Sequence, residues 1–114
     1  MLNLILKTKP LSVNQAWQGR RFKTTKYKDY EKEITALLRQ YKLVRGVFKG
    51  KVGVDIIFFL KRASATDIDN PVKLILDVLV KNGIIEDDRN IWKLKIEKKK
   101  SDRDFMEIEI SKIR

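Results

Sequence analysis

The segment Lys51–Lys61 limits the folds open to this chain more than any other. It alternates Val52, Val54, Ile56, Phe58 and Leu60, and it is apolar at Ile57 and Phe59 as well. A period of two is that of a strand, and apolar residues at adjoining positions put hydrophobic side chains on both faces. The pattern predicts a central strand, covered on both faces in its second half. The rest of the chain has to supply the neighbours and the cover.

Those partners are legible on either side. Met1–Lys7 carries Leu2, Leu4 and Leu6 and reads as a first strand ended by Pro10. Leu11–Phe22 reads as a loop. Thr25–Lys42 reads as a helix with Tyr30, Ile34, Leu37, Leu38 and Tyr41 on one face, capped by Thr24 or Thr25. Val44–Gly50 is a turn region. Ile91–Lys100 alternates Trp92, Leu94 and Ile96 with Lys93, Lys95 and Glu97, and Phe105–Ile113 turns Met106, Ile108 and Ile110 inward. Joined through Ser101-Asp102-Arg103, these last two strands are expected to form a hairpin. The order is β–loop–α–β–α–β–β. It predicts an α+β fold, a mostly antiparallel mixed sheet with two main helices packed on it.

At 114 residues the chain is expected to form one domain spanning residues 1–114. No apolar run approaches a membrane span, and Met1-Leu2-Asn3-Leu4 does not read as a signal peptide. There is no cysteine and no histidine. Disulfides, zinc–thiolate sites, Ser-His-Asp and Cys-His mechanisms are thereby excluded. Any catalysis rests on carboxylates, lysine, tyrosine or a bound metal. With 26 Lys and Arg against 15 Asp and Glu, a polyanionic partner is expected.

One stretch runs against this charge. Thr66–Asp88 holds six acids (Asp67, Asp69, Asp77, Glu86, Asp87 and Asp88) against Lys73 and Lys81, in a chain of formal net charge +11. Carboxylates held ~5 Å apart repel by about 3 kcal/mol per pair at an effective dielectric of 20. A divalent cation removes that penalty, and Mg²⁺ favours a few carboxylates with water and phosphate oxygens. The expectation is a metal site for phosphate chemistry on a basic, nucleic-acid-binding surface.

The local order fits this. Asp67 and Asp69 alternate, so an extended segment points both carboxylates one way. Asn70 is a favoured N-cap, and Pro71 suits the first helical position. A helix over Pro71–Asn82 follows, with Val72, Ile75, Leu76 and Leu79 toward a core and Asn82-Gly83 as C-cap. Lys73 falls on its other face, beside the carboxylates and a helix N-terminus that attracts phosphate. Asp77, four residues on, reads as its i,i+4 partner. The return through Ile84-Ile85 can bring Glu86-Asp87-Asp88 back toward Asp67. Taken singly these features are ordinary: Asp-x-Asp-Asn is a common solvated turn, Asp87-Asp88 a loop, and Lys73 a surface lysine. Their order is the specific signal. Elsewhere Arg20, Arg21, Lys23, Lys26 and Lys28 interleave with Trp17, Phe22 and Tyr27, which suits phosphate contact with base stacking as well as it suits a charged loop. Lys61 and Arg62 are also available to phosphates.

The run Thr66–Asp88, read as D-x-D-N-x-x-K-x-x-x-D-x-L-x-x-x-G-x-x-x-D-D, resembles the RusA family of Holliday-junction resolvases. Pro10-Leu11-Ser12-Val13-Asn14 is similar to that family's P-x-S-x-N element, and Tyr27…Tyr30-Glu31 to the start of its first helix. The resemblance implies a homodimeric, Mg²⁺-dependent endonuclease, with Mn²⁺ able to substitute, that cuts four-way DNA junctions by paired symmetric nicks in recombination and repair. It implies metal-binding carboxylates at Asp67, Asp69 and Asp88, with Asp87 as the alternative to Asp88, and a catalytic lysine at Lys73. Asn14, Arg20, Arg21, Lys23, Lys61 and Arg62 are its candidate DNA contacts. It further implies a cytoplasmic protein, bacterial or phage-encoded, with no membrane partner. Pro71 stands where the family usually has an aliphatic residue. Two rival readings are a non-catalytic basic nucleic-acid-binding module and a Mg²⁺-dependent nuclease for other branched DNA.

Overall fold

The computed structural model describes residues 1–18, 22–41 and 48–114, without the side chains of Gln18 and Phe22. Arg20 and Arg21, and the helix end and turn expected over 42–47, lie outside the described residues. The elements in chain order are β1 (Leu2–Leu6), α1 (Val13–Ala16), β2 (Trp17–Gln18), β3 (Phe22–Lys23), α2 (Thr25–Gln40), β4 (Val52–Leu60), α3 (Val72–Lys81), β5 (Ile91–Lys100) and β6 (Phe105–Lys112). Short 3₁₀ turns at Ala63–Ala65 and Asp88–Asn90 flank α3.

The α+β expectation holds. A four-stranded mixed sheet in the order β1-β6-β4-β5 carries the helices, with antiparallel β1–β6 and β6–β4 pairs and a parallel β4–β5 pair. The expected hairpin does not form, because β5 and β6 lie on opposite sides of β4. The apolar β4 takes the interior position and has a neighbour on each edge. Lysine-rich β5 takes the outside, where charge discourages edge pairing. The link between β5 and β6 passes over the end of β4: Ser101 N–H donates to the Leu60 carbonyl (3.0 Å), and Asp104 Oδ1 accepts from Lys61 N–H (2.9 Å). The parallel β4–β5 pair needs a crossover, and α3 is that crossover.

Among the described residues, cover is complete on only one face of β4. Val52, Val54, Ile56, Phe58 and Leu60 are buried, whereas Ile57 and Phe59 are half-buried on the open face. That face is not bare: Phe59 stacks on Phe105 with centroids 4.3 Å apart, and Glu97 and Glu107 flank Ile57 in register. The apolar set of β5 differs from expectation too. Leu94 and Ile96 pair with Val54 and Ile56, yet Leu94 is 44% exposed and Trp92 65%, because the helices do not extend over this edge.

The helices bury Tyr27, Tyr30, Ile34 and Leu38 from α2 and Leu74, Ile75, Val78 and Leu79 from α3 against the sheet. Full burial of these apolar side chains contributes about 1.5–3 kcal/mol each. Val72 and Leu76, expected in the core, are only half-buried, since the buried stripe is turned one position toward Leu74 and Val78. Thr24 caps α2 by accepting from Tyr27 N–H (3.2 Å). At the far end, Tyr41 Oη both accepts from Ile5 N–H (2.8 Å) and donates to Ile5 O (2.9 Å), tying α2 to the free edge of β1.

Candidate active site

The ends of α3 position the acidic stretch. Asn70 does not cap the helix. Pro71 occupies the cap position with φ −85° and ψ −7°, and the Asn70 side chain instead donates a long hydrogen bond to Asp67 Oδ2 (3.4 Å). Pro71 removes an N–H that the first turn does not need, and the first helical amide, Val72 N–H, is met by Asp69 O (3.3 Å). The loop thus closes on itself, with the carboxylates of Asp67 and Asp69 exposed. At the other end Ile84 N–H reaches Leu79 O (3.1 Å) and Gly83 N–H reaches Val80 O (3.0 Å). This is a Schellman cap, and it needs the positive φ of Gly83, +74°. It reverses the chain and sends Ile84 and Ile85 into the core.

The reversal carries Asp88 back to the start of α3. Lys73 Nζ stands 2.9 Å from Asp77 Oδ1 and 3.6 Å from Asp88 Oδ2, so the expected i,i+4 pair forms and the ammonium also faces the acidic triplet. The Lys73 pKa is raised above the ordinary lysine value, chiefly by the hydrogen bond to Asp77, with partial burial opposing and the charges of Asp77 and Asp88 adding. Lys73 is therefore a fixed cation near neutral pH, suited to stabilising negative charge rather than to accepting a proton.

Asp87 is placed differently from Asp88. Its Oδ1 accepts from Arg89 N–H (2.9 Å) as the cap of the 3₁₀ turn, and its Oδ2 lies 3.2 Å from Arg89 Nη2. Its pKa is lowered, chiefly by the backbone N–H of Arg89. Among the described residues no three His, Cys, Asp or Glu side chains stand close enough to hold a metal ion in common. The charge of Asp77 and Asp88 is met by Lys73 instead.

Sequence reading missed Lys98. It appears there as one of three lysines running into a turn. In the fold it lies on β5, and its half-buried ammonium donates to the carbonyls of Ala63 (2.7 Å) and Thr66 (2.8 Å). Two charge-assisted bonds thus clamp the turn that delivers Asp67. Parity along β5 was the available signal, since it puts Lys98 on the inner face with Leu94 and Ile96.

The basic candidates divide. Lys61 and Arg62 are exposed and line an open groove with Lys9 that ends at Thr66, next to Asp67. A neighbouring hollow continues it past Lys7, Lys9, Gln15 and Lys26. Asn14 is exposed on α1, which is joined to the acidic loop by Val13 N–H donating to Asn70 O (3.2 Å). Lys23 is held by the Glu31 carboxylate at 3.0 and 3.1 Å. Glu31 also accepts from Lys81 (2.9 Å), so one buried carboxylate joins β3, α2 and the end of α3.

A family model described as Endodeoxyribonuclease RusA matches residues 7–111, which include every residue of this site. The chain belongs to the RusA family. Membership makes it a nuclease of the Holliday-junction-resolving class. No match was found among curated proteins. Among the described residues, no helix of this RusA chain is long and apolar enough to cross a membrane.

Proposed function

We propose that this RusA chain resolves four-way DNA junctions by Mg²⁺-dependent, paired symmetric phosphodiester hydrolysis, acting as a homodimer in recombination and repair. The observation that carries this is the approach of Lys73 to Asp88 across the α3 reversal, beside the loop bearing Asp67 and Asp69. Asp67, Asp69 and Asp88 would hold the metal. The chemistry of the donor set fits, since these are solvent-exposed carboxylate oxygens in a chain without histidine or cysteine and Mg²⁺ takes such oxygens together with water and phosphate, although among the described residues the three do not converge on one point. Asp88 is favoured over Asp87 because Asp87 gives both oxygens to Arg89 while Asp88 turns to Lys73. When bound, Mg²⁺ supplies a Lewis acid for a phosphate oxygen and lowers the pKa of bound water, which Mn²⁺ can also do.

The chain's own residues then have distinct tasks. Lys73, kept protonated, stabilises the charge that builds on the phosphate during in-line attack. Asp77 holds Lys73 on the exposed side of α3. Lys9, Lys61 and Arg62 bind backbone phosphates along the groove that leads to Asp67, giving affinity that falls steeply with salt. A C2 dimer presents two such sites to a DNA of near-twofold symmetry. A panel of junction, flap, fork and linear duplex tests the reading. Cleavage is expected on the junction in Mg²⁺ and absent in EDTA. Preference for the flap or fork transfers the same chemistry to another branched substrate, and cleavage of none overturns it.

A further inference from the structure

Of the aromatics interleaved with bases near the N-terminus, Tyr27 is buried and Trp17 is 38% exposed. Trp17 is braced from behind. Its ring meets the Tyr27 ring edge-on, with centroids 5.5 Å apart and planes at 82°. Its backbone pairs with Lys23, whose ammonium lies 4.9 Å from the centre of the Tyr27 ring and is fixed by Glu31. The residue before it, Ala16, accepts from Thr24 N–H (2.8 Å), at the cap of α2.

Two connections put this ring beside the acidic site. Trp17 directly follows α1, and α1 is bonded to Asn70 in the Asp67–Asn70 loop. Tyr27, against which Trp17 rests, lies on α2, and α2 packs against α3, the helix that carries Lys73. Trp92 has neither connection, being on the β5 edge with only Lys51 over its ring.

A rigid, part-exposed indole next to a phosphate-cutting site can do what the surrounding lysines cannot. Cations read backbone charge, which a linear duplex and a junction share. An aromatic face reads an unstacked base, which only the branched DNA offers at low cost. We propose that Trp17 stacks on a nucleobase unstacked at the branch point and so contributes the preference for junctions. This rests on the reading of the chain as a junction endonuclease.

The test reads Trp17 directly. In Trp92→Phe protein Trp17 is the sole tryptophan. Its emission is followed during titration with a four-way junction, with the same junction carrying abasic sites at the branch, and with linear duplex. Ca²⁺ replaces Mg²⁺ throughout. Quenching is expected with the intact junction only. Trp17→Ala is expected to weaken junction binding about tenfold and leave duplex binding unchanged, with Trp17→Phe recovering most of the loss. Equal quenching by all three DNAs, or junction preference without quenching, overturns the proposal and leaves the endonuclease reading standing. A parent with no preference for junctions overturns both. The quenching arm uses native Trp17, so it decides the matter even if Trp17→Ala does not fold.

Discussion

Lys73 Nζ and Asp88 Oδ2 stand 3.6 Å apart although the rest of α3 and its Schellman reversal lie between them in the chain. The contact brings Asp88 back to the first turn of the helix, against Lys73. It also divides the labour of the site, since Lys73 is the cation and the acids around it are the donors.

Lys73→Ala is expected to lower single-turnover cleavage of a junction by about 10²–10³, the range for losing one preorganised stabiliser of transition-state charge. Junction affinity is expected to change little, because the groove lysines remain. Equal losses in cleavage and in affinity would make Lys73 a phosphate anchor instead.

Asp88→Asn and Asp87→Asn are expected to separate. The first should remove nearly all cleavage while the protein keeps its melting temperature. The second keeps an oxygen for the Arg89 N–H and loses only the exposed ion pair with the Arg89 guanidinium, so it should leave the melting temperature and most of the cleavage in place. Thermal melts and cleavage rates on the two variants decide which aspartate carries the function.

Lys98→Met should loosen the turn ahead of Asp67. The expected signs are faster amide exchange around Ala63–Thr66 and a fall in turnover of about ten- to a hundredfold, the scale for small misplacements of a catalytic group. Unchanged exchange in that segment would remove Lys98 from the account.

Glu31 gives a prediction in pH. Burial raises its carboxyl pKa, but the hydrogen bonds from Lys81 and Lys23 outweigh burial and hold it below the ordinary 4.5. A folded value below the unfolded one contributes stability that is present above pH 4.5 and is lost as pH falls through the folded value. Denaturant unfolding should show this acid-side loss in the parent and a flatter profile in Glu31→Gln, which should cost about 1–2 kcal/mol at neutral pH.

How much of this could be read in advance depends on the range of the cause. The α3 C-cap at Asn82-Gly83, the Lys73–Asp77 pair and the inward set of β6 follow from spacings of two to four residues, and all appear as expected. Strand order does not follow from such spacings. Ile91–Lys100 and Phe105–Ile113 read as a hairpin because only their short link is visible in the sequence, whereas the demand of β4 for two neighbours is a property of the whole sheet. Asn70 reads as a cap from its type, but here Pro71 takes that position and Asn70 turns to Asp67. Lys98 shows the same limit, because its partners are carbonyls at Ala63 and Thr66 that no side-chain pattern records.

The most direct test is nicking of a synthetic four-way junction by the parent and by Asp67→Asn, each with Mg²⁺ and with EDTA. The account predicts symmetric nicks in opposing strands from the parent in Mg²⁺ alone, and an Asp67→Asn protein that binds the junction within about threefold of the parent but does not cut it. Folded parent that makes no Mg²⁺-dependent nick, or Asp67→Asn that cuts at the parental rate, would contradict it.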